Sequence, residues 1–403
     1  MRLGGPLIAA NLLLTFLILI SIIMVGHLGN LVFAGAALAI SFAAVTGFSM
    51  LMGLGCALET LCGQAYGAKQ YHMLGIQLQK AMLVLTLSSV PIAAVWLFAD
   101  KVLIFLHQDS EISEKAGVYI RWMLPSLFAY GLVQCQIRFL QTQNLVMPLM
   151  LGAGSTAVIH GLTSWAFVYR TGIGYVGAAL ATSLSYWYMV VFLAVYIKFS
   201  PACKATWPGF SKEALRCVYS FIKLAVPMEY WSFEAIVILS GLLPNPKLET
   251  STMSSCLSIC TTLYMIPFGI GATISTRVSN ELGARNPRAA KLAIFIILVI
   301  GTVEAMVLGM AIILMRNSWG QLVSKDKEVI SHMASVMPLV AVVQIIDAYQ
   351  CVFAGIVRGC GWQKICTVIN LGSFYGVGLP ISVLLAFKFR MGGKVSFLFF
   401  HFK

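Results

Sequence analysis

Apolar residues in this chain come in unbroken runs of about twenty, separated by short segments rich in charge, glycine and proline. A half-buried strand would alternate and a surface helix would show a one-sided stripe, and the runs do neither. Runs of that length fit helices that cross a bilayer. Eleven spans are predicted, near 6–25, 32–57, 78–99, 118–139, 147–168, 175–197, 224–243, 253–275, 290–315, 334–356 and 367–387. Continuous runs also exclude a transmembrane β-barrel, whose strands alternate apolar and polar positions. The run from Pro6 to Val25 lacks a small-residue cleavage pattern and reads as the first span, not as a cleaved signal. The expected class is an all-α polytopic membrane protein.

Composition strengthens this picture. Of 403 residues, 59% are hydrophobic and only 10% charged, far from the quarter or so that is usual in soluble domains. The net charge of +13 is dispersed and not a nucleic-acid footprint. With the N-terminus cytoplasmic, the N-terminal stub, the loops after even-numbered spans and the span ends beside them hold 15 of the 27 Lys and Arg, as the positive-inside rule requires. The ten cysteines form no CxxC pair and fall in or beside apolar runs, so they read as reduced, packed thiols.

An internal repeat organises the spans. Gly53, Gly55, Thr60, Gly67 and Ala68 recur 216 residues later as Gly269, Gly271, Thr276, Gly283 and Ala284, with Gln64 and Lys69 echoed by Asn280 and Arg285. A second echo, at 213, sets Pro125 and Gln134 of span four opposite Pro338 and Asp347 of span ten. Six crossings separate the copies, so two parallel six-helix repeats are expected, not inverted ones. The tail after Lys394, VSFLFFHFK, is too short for a crossing, so the second lobe is expected to lack its twelfth helix.

Ionisable residues within spans are rare and each is a functional candidate. The first half has none in mid-span, with Glu59 at the end of span two; the second has Glu229 and Glu234, then Glu304 and Asp347. Gln344, Asp347 and Cys351 share one helical face by their spacing. Asp347 reads as a proton- or cation-coupling group, or as a structural carboxylate held by a hydroxyl or backbone donor. Glu229 and Glu234, five residues apart, face about 140° away from each other and are not expected to serve one site. Glu234, with Tyr230 and Trp231 one turn before it, would make an aromatic and acidic wall suited to an organic cation, or be a hydrogen-bonded core glutamate. Gln134, Gln344 and Tyr264 complete the candidate cavity set. Pro267, Gly269 and Gly271 in TTLYMIPFGIG suggest a hinge or a packing kink. Glu304 stands alone in span nine and reads as a structural or interface residue.

Catalytic chemistry is not expected. The six histidines make no HExxH or His–Cys cluster and read mostly as loop or helix-end residues, with His27 in a turn. The Gly-rich loops CGQAYGAKQ and SNELGARNP lack phosphate-cradle spacing. No enzyme activity, cofactor, metal or nucleic acid is expected.

The strings VGHLGNLVFAGAALA, TLCGQAYGAKQY, EYWSFEAIVILSGLLPNPKLETS, STRVSNELGARNPRAAK and RGCGWQKICTVIN resemble plant-type multidrug and toxic compound extrusion (MATE) transporters, from about residue 3 to about residue 394. The resemblance implies two lobes around a central cavity that opens alternately to either side. It implies export of organic cations, xenobiotics or plant secondary metabolites, flavonoid- or alkaloid-like, in exchange for protons. It places the proton-linked pair on Glu229 and Asp347. The expected organisation is an N-lobe over 1–200, a basic linker over 201–223, a C-lobe over 224–394 and a tail over 395–403. A monomer in the plasma or vacuolar membrane is expected, its partners being protons, small organic molecules and lipid. Two alternatives stand beside this: a truncated form that regulates transport without performing it, and a lipid or glycolipid flippase of a related superfamily.

Overall fold

In the computed structural model the described residues are 3–106, 108–215, 246–323, 327–373, 377 and 380–381. They are mostly helical, and they fall into two compact units. The first comprises Met1–Pro227 with Ser279–Asn286, the second Met228–Val278 with Pro287–Lys403.

The first unit holds α1 (Gly4–Gly26), α2 (Asn30–Ala43), a π-helical turn (Ala44–Phe48), α3 (Ser49–Gly67), α4 (Tyr71–Leu97), α5 (Ala99–Phe105), α6 (Ser110–Thr142), α7 (Met147–Tyr169) and α8 (Val176–Phe199). The second holds most of α9 (Pro246–Gly283), then α10 (Pro287–Leu314), α11 (Arg316–Val323), α12 (Lys327–Cys360) and α13 (Gln363–Leu371). Among the described residues, seven helical stretches are long and apolar enough to span a membrane. The protein is an integral, multi-pass membrane protein. Predicted span seven, 224–243, lies outside the described residues, as does most of span eleven.

Several helices outrun the predicted spans, because they continue until a left-handed residue stops them. α3 runs ten residues past the predicted end, to a Schellman cap in which Lys69 N–H donates to Tyr66 O and Gln70 N–H to Ala65 O, with Lys69 at φ 60°. α9 ends identically 216 residues later: Arg285 N–H donates to Leu282 O and Asn286 N–H to Glu281 O, with Arg285 at φ 58°. The repeat visible in the sequence is thus a repeat of backbone geometry.

α6 is the central helix of the first unit, packing on α2, α3, α4, α5 and α8. Its start is set by Asp109, whose carboxylate accepts from the N–H groups of Glu111 and Ile112. The last turn and cap of α9 also belong to this unit. A Cβ on Gly67 would strike the Asn280 carbonyl, and one on Gly283 the carbonyl of Gln64. Gln64 and Asn280 are repeat partners, so each glycine lies on the partner of the residue four before its own cap. Asn280 Nδ2 donates to Thr142 O at 3.1 Å.

In the second unit α10 and α11 pack on α12 around Ile259, Cys260, Ile312, Met333, Val336, Met337, Val340, Ala341 and Val343. Burying such apolar surface contributes about 25 cal/mol per Å² where water is the reference, whereas lipid-facing positions gain little by it. Small residues at helix crossings matter correspondingly more.

Candidate functional site

α12 places Gln344, Asp347 and Cys351 on one face, as their spacing predicts, and all three are buried. Glycines bring the neighbouring helices close against α12. A Cβ on Gly271 of α9 would meet the Cys351 backbone, and one on Gly355 of α12 would meet the Gly271 carbonyl. From α10, Gly301 and Gly309 leave room for Val352 and Ile345, each 3.0 Å from where a Cβ would stand. Close backbone approach over small residues is how membrane helices gain packing without a hydrophobic driving force. Among the described residues neither end of the Gln344 amide has a hydrogen-bond partner. An unmet amide one turn from a buried carboxylate is unusual in a finished core.

Tyr264 of α9 is half-buried, its ring centroid 6.0 Å from that of Phe268. α9 stays helical through Pro267, and the Gly269 carbonyl accepts from the Thr273 hydroxyl at 2.8 Å. Glu229, Tyr230, Trp231 and Glu234 lie outside the described residues. Glu304 of α10 has both carboxylate oxygens buried with no hydrogen-bond partner among the described residues.

Gln134 lies in the first unit on α6, buried, its Cβ 3.3 Å from where a Cβ on Gly55 would stand. The structure corrects its pairing with Asp347. Gly55 approaches Gln134 as its repeat partner Gly271 approaches Cys351, an offset of 217 in the approached residue. The helix ends agree: α6 is capped by left-handed Asn144 and α12 by left-handed Gly361, with matching hydrogen bonds 217 residues apart. Pro125 and Pro338 are 213 apart, so between proline and cap α12 carries four extra residues, about one turn. In this register Cys351 replaces Gln134, and Asp347 corresponds to Tyr130. That tyrosine packs with Phe48 at 4.7 Å and edge-on with Tyr186 at 5.4 Å, beside the π-helical turn. Trp96 joins the group through Phe48 and donates from Nε1 to Thr46 Oγ1 at 2.9 Å.

Sequence reasoning missed two polar groups inside the first unit. Arg138 of α6 forms an ion pair with Glu59 of α3 at 2.8 Å, both deeply buried. Each residue alone reads as an ordinary helix-end charge, and only their spatial meeting distinguishes them. His160 is not a helix-end residue. It sits mid-α7, fully buried, with Nε2 3.0 Å from Ser21 Oγ and Nδ1 2.9 Å from Ser185 Oγ. The signal available was its place in an apolar run, with Thr156 and Ser164 one turn away on either side. Among the described residues no cluster of three or more His, Cys, Asp and Glu could hold a metal. Among the described residues, Cys62, Cys135, Cys203 and Cys360 are free thiols.

Comparison with known proteins accounts for this arrangement. The chain is 54% identical over 398 residues to Protein DETOXIFICATION 16 of Arabidopsis thaliana, covering 97% of this chain and 82% of that one. It is 50% identical over 399 residues to Protein DETOXIFICATION 15 of the same plant, with the same coverage. The crystal structure of the eukaryotic MATE transporter AtDTX14 superposes with a TM-score of 0.96 at 40% identity, covering 99% of this chain and 91% of that one. The two-lobed MATE architecture is therefore that of this chain. Residues 6–166 and 222–384 match the MatE family, and the protein is a member of that family of membrane transporters.

Proposed function

We propose that the protein is a secondary active antiporter that exports organic cations, xenobiotics or plant secondary metabolites in exchange for protons, by alternating access. The observation that carries the reading is Asp347, a carboxylate buried in a membrane-spanning helix beside the unsatisfied amide of Gln344. Relatives that share half or more of its residues are named for detoxification, which favours foreign or toxic organic molecules as cargo.

In this mechanism Asp347, together with Glu229, alternates between proton and cation. Deprotonated, the carboxylate attracts a cationic substrate through a low-dielectric medium, where a charge acts far more strongly than in water. Protonation removes that attraction and releases the cargo on the side from which the proton came. Linkage makes the competition reciprocal: substrate must lower proton affinity as much as protons lower substrate affinity. The candidate aromatic side chains Tyr264, Tyr230 and Trp231 would supply flat contact surface, and Tyr230 and Trp231 cation–π attraction beside Glu234. Pro267, Gly269 and Gly271 would let α9 bend between states.

The test is efflux of a fluorescent organic cation from proteoliposomes under an imposed proton gradient, with Asp347→Asn and Glu229→Gln in parallel. Gradient-driven efflux lost in both variants supports the reading. Asp347→Asn protein that still exports down the gradient would remove Asp347 from the coupling step.

A further inference from the structure

After α8 the chain does not hang free but is strapped to the first unit. Thr206 Oγ1 donates to Gln143 Oε1 at 2.8 Å, while Gln143 Nε2 is committed to Phe139 O at 2.9 Å. Gln79 of α4 then grips the backbone on both sides of one residue: its Nε2 donates to Gly209 O at 2.7 Å and its Oε1 accepts from Ser211 N–H at 2.8 Å. Gly75 has no Cβ because one would run into Pro208 and the Thr206 carbonyl, and Gly209 takes φ +82°. The residue between the two gripped backbone groups is Phe210. Its side chain is 87% exposed, supported from one side by Trp207 at 5.5 Å in an edge-on contact.

Holding a phenylalanine outward by four separate devices is costly in water, since its apolar surface gains nothing there. Phe199, where α8 ends, is also 72% exposed, with Lys198 Nζ 5.4 Å from its ring centroid. Lys198 and Lys204 are exposed. From 198 to 216 the chain carries Lys198, Lys204, Lys212 and Arg216 against Glu213 alone. Exposed aromatic rings interleaved with lysines, at the level where a spanning helix stops, match the chemistry of an anionic membrane surface: rings enter the headgroup boundary and ammonium groups meet phosphate and carboxylate.

We infer that the strap over residues 200–215 is a docking surface for anionic lipid headgroups of the protein's own bilayer, with Phe210 and Trp207 as its apolar anchor and Lys198 and Lys204 as its charge contacts. The surface is preformed by Gln79, so lipid binding requires no folding of the linker.

Native mass spectrometry of the full chain titrated with phosphatidylserine or phosphatidylcholine tests this. Wild-type protein is expected to retain phosphatidylserine preferentially. Lys198→Gln with Lys204→Gln should lower that preference roughly thirtyfold, from the gain each of the two basic residues makes near an anionic surface. Phe210→Ser should weaken retention of both lipids, and Gln79→Leu should lower the serine preference with every charge still present. Lys101→Gln, on another exposed segment, should change nothing. Each variant is first checked for a single gel-filtration peak and unchanged helical circular dichroism, and Lys204→Gln alone serves if the double variant fails that check. The inference is overturned if wild type shows no preference, if the lysine substitutions leave it intact, or if Lys101→Gln reduces it equally. Loss on Phe210→Ser without any lysine effect would instead indicate an apolar partner, and would also overturn it.

Discussion

The guanidinium of Arg138 stands 2.8 Å from the carboxylate of Glu59, joining α6 to α3 with both side chains almost wholly shielded. The same guanidinium donates to Gln141 Oε1 at 3.1 Å. A buried charge stripped of its partner costs far more than the pair contributes. Glu59→Gln or Arg138→Met alone should therefore lower stability by about 3–5 kcal/mol, and the double substitution by much less than their sum. A double-mutant cycle of thermal unfolding in detergent measures this, and strictly additive losses would show that the contact carries no coupling.

His160 ties α7 to α1 and α8, and counting protons assigns its tautomer. The Ser185 hydroxyl is committed to the Ala181 carbonyl at 2.7 Å, so toward His160 it can only accept. Nδ1 therefore carries the hydrogen, and Nε2 accepts from Ser21 or Ser164. His160→Leu should cost about 1–3 kcal/mol by stranding these hydroxyls. His160→Asn, which can keep a donor where Nδ1–H stands, should cost less than His160→Gln. The reverse order in thermal shift would refute the tautomer.

Glycines divide into those the packing requires and those it does not. Gly355 lies against the Gly271 carbonyl, so Gly355→Val should force α9 and α12 apart and cost about 3 kcal/mol or more. Gly161, inside α7, has nothing within 4 Å of its would-be Cβ, and Gly161→Ala should stabilise by up to about 1 kcal/mol. Melting temperatures of the two variants should move in opposite directions.

Cys203, in the strap beyond α8, is buried, and burial pushes its thiol from 9.0, its ordinary value, up to about 11. The docked strap thus favours the protonated thiol. Its contribution to docking is full below about pH 9 and is lost as pH rises toward 11, because the released segment ionises first. Maleimide labelling of Cys203, mapped by peptide mass spectrometry, should be slow at pH 7, steepen above pH 9, and become fast at pH 7 in Gln79→Leu. Equal rates in wild type and Gln79→Leu would mean that Gln79 does not hold the strap closed.

The helical membrane-spanning class, the parallel repeat and the polar face of α12 were legible because each depends on local pattern. An apolar run of bilayer length must cross, and residues spaced three and four apart must share a face. The second echo misled for a physical reason. Pro125 and Pro338 are strong local landmarks, yet one added turn between proline and cap shifts every residue beyond it along the helix axis, and sequence matching anchored on proline cannot see the turn. The contacts of Gly55 and Gly271 and the caps at Asn144 and Gly361 reveal that Cys351, not Asp347, takes the place of Gln134.

By itself the sequence determined that this is a polytopic helical membrane protein, built twice over from one six-helix plan. Hydrophobic length and helical periodicity are properties of consecutive residues, so they survive without a structure. The tertiary structure decided what depends on residues far apart in the chain: that Glu59 finds Arg138, that three serines surround His160, that Tyr130 stands in the register of Asp347, and that Gln79 holds Phe210 outward. Inside a membrane a polar group is tolerated only if another element satisfies it, and which element does so is settled by packing.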